Sequence, residues 1–314
     1  FKKPTEVSDK TYYTVYRGVN TKKASTGEMK NYLTDGDKLV VDNKARIEYK
    51  FKFDEGWNKT KESEAKVRIP VHSPKDATAN KYVTKGEVDV TKLTDKDKVT
   101  DLTNLTDSYN WIVEANLDKD AVNSGTYQSL SIVDKEFADI QSATKATVRT
   151  PDNKDVTNLV DIQVWQDGKL YSINGKRVGE DTAKTEQANN SGTVETADSA
   201  TVKETGNLLL PEGLNKDGKK GSVQIKAVFK SPELVEESKY FLAIEGVNYK
   251  DSSTNEKKLY AEGKEIKVGN VANVEYQGIF DKEKKTSKDV TSEVKTPVPD
   301  TTAKVTKFAQ KDTV

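Results

Sequence analysis

The sequence predicts an all-β protein made of tandem β-sandwich domains, and three observations support this prediction. Apolar residues recur at every second position in most apolar runs, which is the period of a half-buried strand. Turn segments such as "QDGK" at 166–169 and "INGK" at 173–176 separate these runs, and their Asp-Gly and Asn-Gly pairs supply the positive φ of tight hairpins. No long helical stripe competes with the alternation.

The alternating runs follow one another along the chain. In "ARIEYKFKF" the aromatic and aliphatic side chains share one face, while Lys50 and Lys52 take the other. The predicted strands, in chain order, include 13–15, 47–53, 67–71, 88–90, 111–117, 130–132, 162–164, 223–229, 241–243 and 268–276.

Length and composition predict the domain organisation. A chain of 314 residues exceeds what one core usually organises, so we expect an N-terminal β-sandwich at 1–87 and a second at 88–285. Residues 179–206 contain no aromatic and almost no large aliphatic side chain, which predicts a mobile surface loop. The segment 286–314 is expected to be an exit linker or the start of another module.

Charge and residue types exclude several kinds of partner and site. Lys+Arg and Asp+Glu both total 51, so no net field favours nucleic acid. Cysteine is absent, which excludes disulfides and thiol nucleophiles, and the single histidine, His72, is expected at a strand end without a functional role. No apolar run approaches the roughly 20 residues of a membrane span, so we expect no membrane insertion.

These exclusions predict a binding or structural protein rather than a turnover enzyme, with no cofactor and no metal. A Ca²⁺ ion held by residues 116–125 stays open as an alternative. A glycan-processing enzyme would need two paired acids in an aromatic cleft, and sequence cannot locate such a pair among 51 carboxylates. Among the tryptophans, Trp111 is expected in the core, and Trp57 in "DEGWNKT" is a weak candidate for ligand binding.

Three polar residues are predicted to point into the core. Lys92 in "EVDVTK", Asp134 in "YQSLSIVDK" and Asn270 in "KVGNVANVEYQG" each continue the apolar face of a predicted strand. A buried lysine loses its proton and can attack an amide carbon, and a buried, protonated aspartic acid can polarise that amide. The trio therefore predicts an isopeptide bond between Lys92 and Asn270, with Asp134 as the proton shuttle.

Each residue also has a plainer interpretation. Lys92 could end an edge strand with its amine in water, Asp134 could cap a turn, and Asn270 could bond locally. Asn273 is the fallback acceptor, although the strand phase points it outward.

These segments resemble a known family. The strings "YNWIVEANLDKD", "GTYQSLSIVDKE" and "GNVANVEY" resemble the Trp-bearing, I-x-D and N-x-A-x-V strands of Gram-positive adhesin domains of the collagen-adhesin and antigen I/II types, over about 88–285. The stretch "GDKLVVDNKARIEYKFKF" resembles the second strand of the preceding adhesin domain. The resemblance implies tandem immunoglobulin-like domains and an isopeptide bond formed by Lys92, Asp134 and Asn270.

The resemblance also implies a function. We expect a secreted virulence protein on the Gram-positive cell surface, anchored to the cell wall through a region outside this sequence. It would bind a host extracellular-matrix protein, a salivary protein or a glycan without covalent attachment. The alternative is a purely structural stalk, pilus or S-layer module with no ligand of its own.

Overall fold

The computed structural model describes residues 1–3, 6–7, 11–19, 33–35, 38–70, 73–179, 206–212, 218–250 and 257–298. His72 and all but the two end residues of the predicted loop 179–206 lie outside the described residues. The described part is dominated by strands, with one short α-helix, α1 (Lys119–Ser124), which confirms the all-β prediction.

The strands of the described residues are numbered in chain order. They are β1 (Leu33–Asp35), β2 (Lys38–Ala45), β3 (Glu48–Tyr49), β4 (Asn58–Lys59), β5 (Ser63–Pro70), β6 (Thr78–Thr84), β7 (Val99–Asp101), β8 (Tyr109–Asn116), β9 (Tyr127–Ala138), β10 (Gln141–Ser142), β11 (Lys145–Arg149), β12 (Val160–Gln166), β13 (Lys169–Ile173), β14 (Lys176–Arg177), β15 (Ser222–Phe229), β16 (Lys239–Tyr249), β17 (Ala261–Glu262), β18 (Glu265–Gly278), β19 (Lys285–Thr286) and β20 (Val290–Pro297).

Two sheets form a β-sandwich. The smaller sheet has the order β10-β16-β8-β6, with β11 also paired to β16. The larger sheet has the order β14-β13-β12-β15-β9-β18-β20-β7, and β17 and β19 pair with β18. All these pairs are antiparallel except β20 with β7. The strand alternation seen in the sequence therefore places one face of each sheet against the other sheet.

The core lies between the two sheets and contains side chains from both. Trp111 and Leu242 come from the smaller sheet, and Ile132, Ile225 and Val274 from the larger one; all are fully buried. Trp111 was expected in the core, and its burial confirms that prediction. Burial of such side chains contributes about 1.5–3 kcal/mol each, so the core is the main source of stability.

A smaller three-stranded sheet, β1-β2-β5, precedes the sandwich. Its Leu39 packs against Ile279, at the end of β18, which attaches this sheet to the sandwich. Strand β6 pairs with β8 along its whole length, so residues 78–84 are part of the sandwich although they precede the predicted boundary at 87. The division into two domains stays a prediction.

Residues 85–98 cross the outer face of the smaller sheet. The strand predicted at 88–90 is absent: Val90–Lys92 form a 3₁₀ turn, and the side chains of Val88 and Val90 pack on Ile112 and Phe241. These two valines are buried as the alternation implied, but against the outside of the sandwich.

Other segments also differ from their predictions. Residues 13–15 form no strand, and only Glu48–Tyr49 of the predicted strand 47–53 is one. Strand β20 occupies part of the predicted exit linker 286–314, and it pairs with β18. The segment 116–125 contains α1, capped at its start by the Asp118 side chain and at its end by Gly125 in the left-handed region. In the described part of the chain, no helix is long and apolar enough to cross a bilayer.

Candidate cross-linking site

The predicted nucleophile, Lys92, does not lie in the core, so that assignment is wrong. Asp89 caps the 3₁₀ turn by accepting from the backbone N–H of Thr91, and the tight turn directs Lys92 away from buried Val90. The Lys92 side chain is 81% exposed, and its Nζ lies 2.7 Å from Asp89 Oδ2. This ion pair holds the pKa of Asp89 at about 2 and raises that of Lys92.

Another lysine, Lys81, lies inside the sandwich. Strand β6 alternates so that Ala79, Lys81 and Val83 face the core, while Tyr82 faces the outer cluster. Val83 pairs with Trp111 of β8, and the Lys81 Nζ lies 5.3 Å from the centre of the Trp111 ring. The Lys81 side chain has no exposed surface. It therefore occupies the place that the sequence analysis gave to Lys92.

Asp134 and Asn270 are both fully buried, as their strand phases predicted. Asp134 lies in β9 and Asn270 in β18, two neighbouring antiparallel strands of the larger sheet. Ala272 is the direct partner of Asp134, so Asn270 is two residues further along the same face. The side chains of both residues thus project from the larger sheet toward the smaller one.

Lys81 and Asp134 form a buried pair across the two sheets. The Lys81 Nζ lies 2.8 Å from Asp134 Oδ2. Burial lowers the pKa of Lys81 and raises that of Asp134, and their mutual attraction opposes both shifts. Since a buried charge is costly, burial favours the neutral amine and the neutral carboxylic acid in this pair.

The Asn270 amide lies in the same place. We call Lys81, Asp134 and Asn270 the buried trio. The amide lowers the pKa of the Asp134 carboxyl, but burial raises that pKa by more. Among the described residues, neither polar atom of this amide has a hydrogen bond of normal geometry, and Asp134 Oδ1 also lacks one. A buried polar atom without a hydrogen bond lowers the stability of the fold by about 1–3 kcal/mol. Three such atoms at one place therefore call for a chemical explanation.

A second set of the same residue types lies on the outer face of the larger sheet. We call Lys135, Asp289 and Asn273 the outer trio. Lys135 Nζ lies 2.7 Å from Asp289 Oδ2, and Asn273 Nδ2 donates to Asp289 Oδ1 at 2.8 Å. Asp289 is 47% exposed, and its pKa is lowered, first by Lys135 and then by Asn273. Its carboxylate is charged, so the outer trio lacks the acid that the buried trio contains.

The sequence did carry a signal for Lys81. In "TANKYVT" the lysine lies between Ala79 and Val83 at the period of a strand, so it shares an apolar face just as Lys92 seemed to share one with Val88 and Val90. The two patterns are equivalent in the sequence. Only the Asp89 cap separates them, because it begins a turn where a strand was expected.

Trp57 lies at the end of a hairpin that projects side chains into solvent. Strands β3 and β4 pair through Tyr49 and Asn58. Asp54 fixes the turn between them, because its Oδ2 accepts from the Phe51 backbone N–H at 3.0 Å and from Asn58 Nδ2 at 2.6 Å. Exposed apolar side chains cluster here: Ile47 66%, Phe51 65%, Phe53 91% and Trp57 67%.

A metal centre has no support in the described part of the chain. No group of three or more His, Asp or Glu side chains there has the arrangement of a metal site. In the segment 116–125, the Asp118 carboxylate instead accepts from the backbone N–H groups of Lys75 and Asp120.

Comparisons with known proteins give matches among solved structures only. No protein-family model matches the sequence, and a search of curated proteins finds no match. The chain is similar to BcpA, the major pilin subunit of Bacillus cereus, with 13% identity, a TM-score of 0.37 and coverage of 76% of this chain and 54% of that chain. The chain thus spans about half the length of that pilin.

Two surface-protein domains are also similar. The collagen-binding subdomain of the Enterococcus faecalis surface protein ACE has 12% identity and a TM-score of 0.23, over 63% of this chain and 93% of that one. The collagen-binding domain of the Erysipelothrix rhusiopathiae surface protein RspB has 12% identity and a TM-score of 0.25, over 82% and 60%.

Proposed function

We propose that this chain is a segment of an extracellular surface adhesin whose sandwich is closed by an isopeptide bond between Lys81 and Asn270, with Asp134 as the proton shuttle. One observation carries the proposal: a lysine, an acid and an amide from three distant parts of the chain are buried together between the sheets. The chain catalyses this step once on itself and has no turnover activity.

The chemistry of the bond follows from the neutral pair. The lone pair of Lys81 Nζ attacks Cγ of Asn270, while the protonated Asp134 donates a hydrogen bond to the amide. Asp134 takes a proton from the attacking nitrogen and delivers one to Nδ2. The Nζ–Cγ bond forms, the Cγ–Nδ2 bond breaks, and the nitrogen of the former amide leaves as ammonia. Asp134 ends in its original protonation state.

A buried ion pair without reaction is the competing interpretation of Lys81 and Asp134. Such pairs add little stability, because desolvation offsets their attraction. An ion pair would also leave unexplained why both polar atoms of the Asn270 amide are buried without a hydrogen bond of normal geometry among the described residues. The isopeptide reaction accounts for the buried amide, because Asn270 would be the electrophile that Lys81 attacks. This difference favours the bond over the ion pair.

The position of the bond suits a protein under tension. Lys81 lies in the smaller sheet and Asn270 in the larger one, so the bond would join the two layers covalently. Layers held by side-chain packing alone can separate under load, whereas a covalent amide between β6 and β18 transmits force along the chain. Attachment of a cell to a host surface is a function that needs such resistance.

The ligand is proposed to be a host protein or glycan that contacts the hairpin carrying Trp57. Exposed aromatic side chains on an ordered turn are typical of binding surfaces, since they bury large areas at low entropic cost. Collagen is the first ligand to test, because two of the similar structures are collagen-binding domains. A stalk, pilus or S-layer module is the second candidate function, and the buried trio supports it equally.

The intact mass of the purified protein tests the bond. We expect a mass one ammonia below the sequence formula, and a tandem mass spectrum in which the peptides containing Lys81 and Asn270 are joined. A full formula mass would contradict the proposal. Single-molecule pulling and collagen binding then separate the two functions: an adhesin resists force and binds a ligand, whereas a stalk resists force and binds none.

A further inference from the structure

Ser292 makes a contact that bridges the two sheets next to the buried trio. Its hydroxyl donates to the backbone carbonyl of Lys81 at 2.8 Å, and the residue is only 4% exposed. Ser292 lies in β20 of the larger sheet, and Lys81 in β6 of the smaller one. The hydrogen bond therefore joins backbone and side chain across the gap that the isopeptide bond is proposed to close.

Ser292 is also the direct cross-strand partner of Asn270. The pairing of β18 with β20 places Asn270 opposite Ser292, and both side chains face the core. Side chains paired in this way have Cβ atoms roughly 5 Å apart. A single residue is thus fixed to the proposed acceptor through strand pairing and to the proposed nucleophile through a hydrogen bond.

Strand β6 needs such a contact more than a central strand would. It is the last strand in the order of the smaller sheet, with β8 as its paired neighbour. Among the described strands, none pairs with the other edge of its backbone in that sheet to fix its position relative to the larger sheet. The hydroxyl of Ser292 bonds to the Lys81 carbonyl and fixes that strand at the residue whose side chain must react.

We propose that Ser292 is a positioning residue for formation of the isopeptide bond, an inference that rests on the proposed function. It sets the distance and register between the backbone of Lys81 and the strand pair that carries Asn270. Its hydroxyl bonds to the backbone of Lys81 and not to a reacting atom, so we assign it a positioning role and not a catalytic one. Since misplacement by about 1 Å can slow an oriented reaction roughly 100-fold, loss of this contact has a kinetic effect beyond its effect on stability.

The test compares side chains of equal size with and without the hydroxyl. Full-length chains with Ser292→Thr, Ser292→Val and Ser292→Ala are made by pulsed cell-free synthesis, and the loss of ammonia is followed by intact mass in the folded monomer fraction. We expect Ser292→Thr to react at nearly the wild-type rate, and Ser292→Val and Ser292→Ala to react roughly 10-fold more slowly or worse. If Ser292→Val does not fold, Ser292→Ala is compared with Ser292→Thr instead.

Thr157→Val is the control for a purely structural effect. The Thr157 hydroxyl is buried and accepts from the Val148 backbone N–H at 2.9 Å, in another part of the sandwich. Its loss lowers stability but leaves the reaction rate unchanged. Wild-type rates in Ser292→Val and Ser292→Ala, or an equal slowing in Thr157→Val, would overturn the positioning role. A wild-type protein that never loses ammonia would instead overturn the proposed bond itself.

Discussion

The side-chain nitrogen of Lys81 lies 2.8 Å from a carboxyl oxygen of Asp134, and neither side chain has any surface in contact with solvent. The two residues come from opposite sheets of the sandwich. Burial favours the uncharged form of both groups, the form in which a lysine can act as a nucleophile and an aspartic acid as a proton donor. The Asn270 amide, whose polar atoms lack a hydrogen bond of normal geometry within the described part of the chain, is the group on which we propose that they act.

Replacement of the buried lysine should abolish the proposed bond. Met fills nearly the volume of the lysine stem without an amine, so Lys81→Met is expected to have the full mass of its own sequence formula, with no ammonia lost. Lys92→Ala, which removes the exposed lysine, is expected to keep the deficit of one ammonia relative to its own sequence formula. Intact mass spectrometry measures both variants. A reduced mass in Lys81→Met would show that another lysine is the nucleophile.

Loss of the acceptor amide should lower thermal stability strongly. The bond would close a loop of about 190 residues, and loop entropy of the kind estimated for disulfides gives on the order of 5 kcal/mol. Asn270→Ala is therefore expected to lower Tm by roughly 10 °C or more.

Asn273→Ala is the matched control for the acceptor, because it removes an amide from the outer trio on the same strand. It should lower Tm by a few degrees at most and keep the mass deficit, since its partner Asp289 is nearly half exposed. Differential scanning calorimetry of the two variants measures the contrast. Equal decreases in Tm would argue that neither asparagine is cross-linked.

The exposed pair of Asp89 and Lys92 should respond to pH in a defined way. Lys92 and Thr91 hold the pKa of Asp89 at about 2 in the folded protein, below its usual value of 3.8. The folded pKa is depressed, so the stabilisation is fully present above pH 3.8 and is lost as pH falls through about 2. In Lys92→Ala the pKa of Asp89 should rise toward 3.8, as followed by NMR titration of its carboxyl carbon. An unchanged titration would contradict the ion pair.

Trp57 should contribute to ligand binding without contributing to the fold. Its side chain is 67% exposed at the end of an ordered hairpin, so Trp57→Ala should leave Tm within about 1 °C of wild type. If the hairpin binds collagen, surface plasmon resonance should show a loss of affinity of roughly 10-fold or more. Val99→Ala, at another exposed apolar residue, is the control. Equal binding by both variants would exclude this hairpin as the contact surface.

Two glycines with positive φ should differ in their tolerance of a methyl group. A Cβ on Gly246 would lie 2.6 Å from Thr144 Oγ1, whereas a Cβ on Gly168 would meet no atom within 4 Å. Both substitutions strain the backbone, so Gly168→Ala is expected to cost about 1 kcal/mol and Gly246→Ala at least about 2 kcal/mol. Denaturant unfolding measures the difference. Equal costs would mean that Thr144 moves aside freely.

The order of the strands along the chain could be predicted in large part from the sequence, because alternation of apolar and polar residues is a local property. The same reasoning placed Asp134 and Asn270 correctly inside, since long strands with many apolar residues on one face leave no doubt about their phase. It failed at 88–92, where only two valines defined the phase and the side chain of Asp89 favoured a turn.

The sequence by itself thus determined the all-β class, most strands and the inward direction of an acid and an amide. Only the tertiary structure decided which lysine meets them, because Lys81 and Lys92 follow the same alternating pattern and differ in which surface their segment covers. Strand β6 completes the smaller sheet and faces the core, whereas residues 88–92 cover the outside of that sheet. Burial, which favours the uncharged form of a lysine, follows from that packing and not from the local sequence.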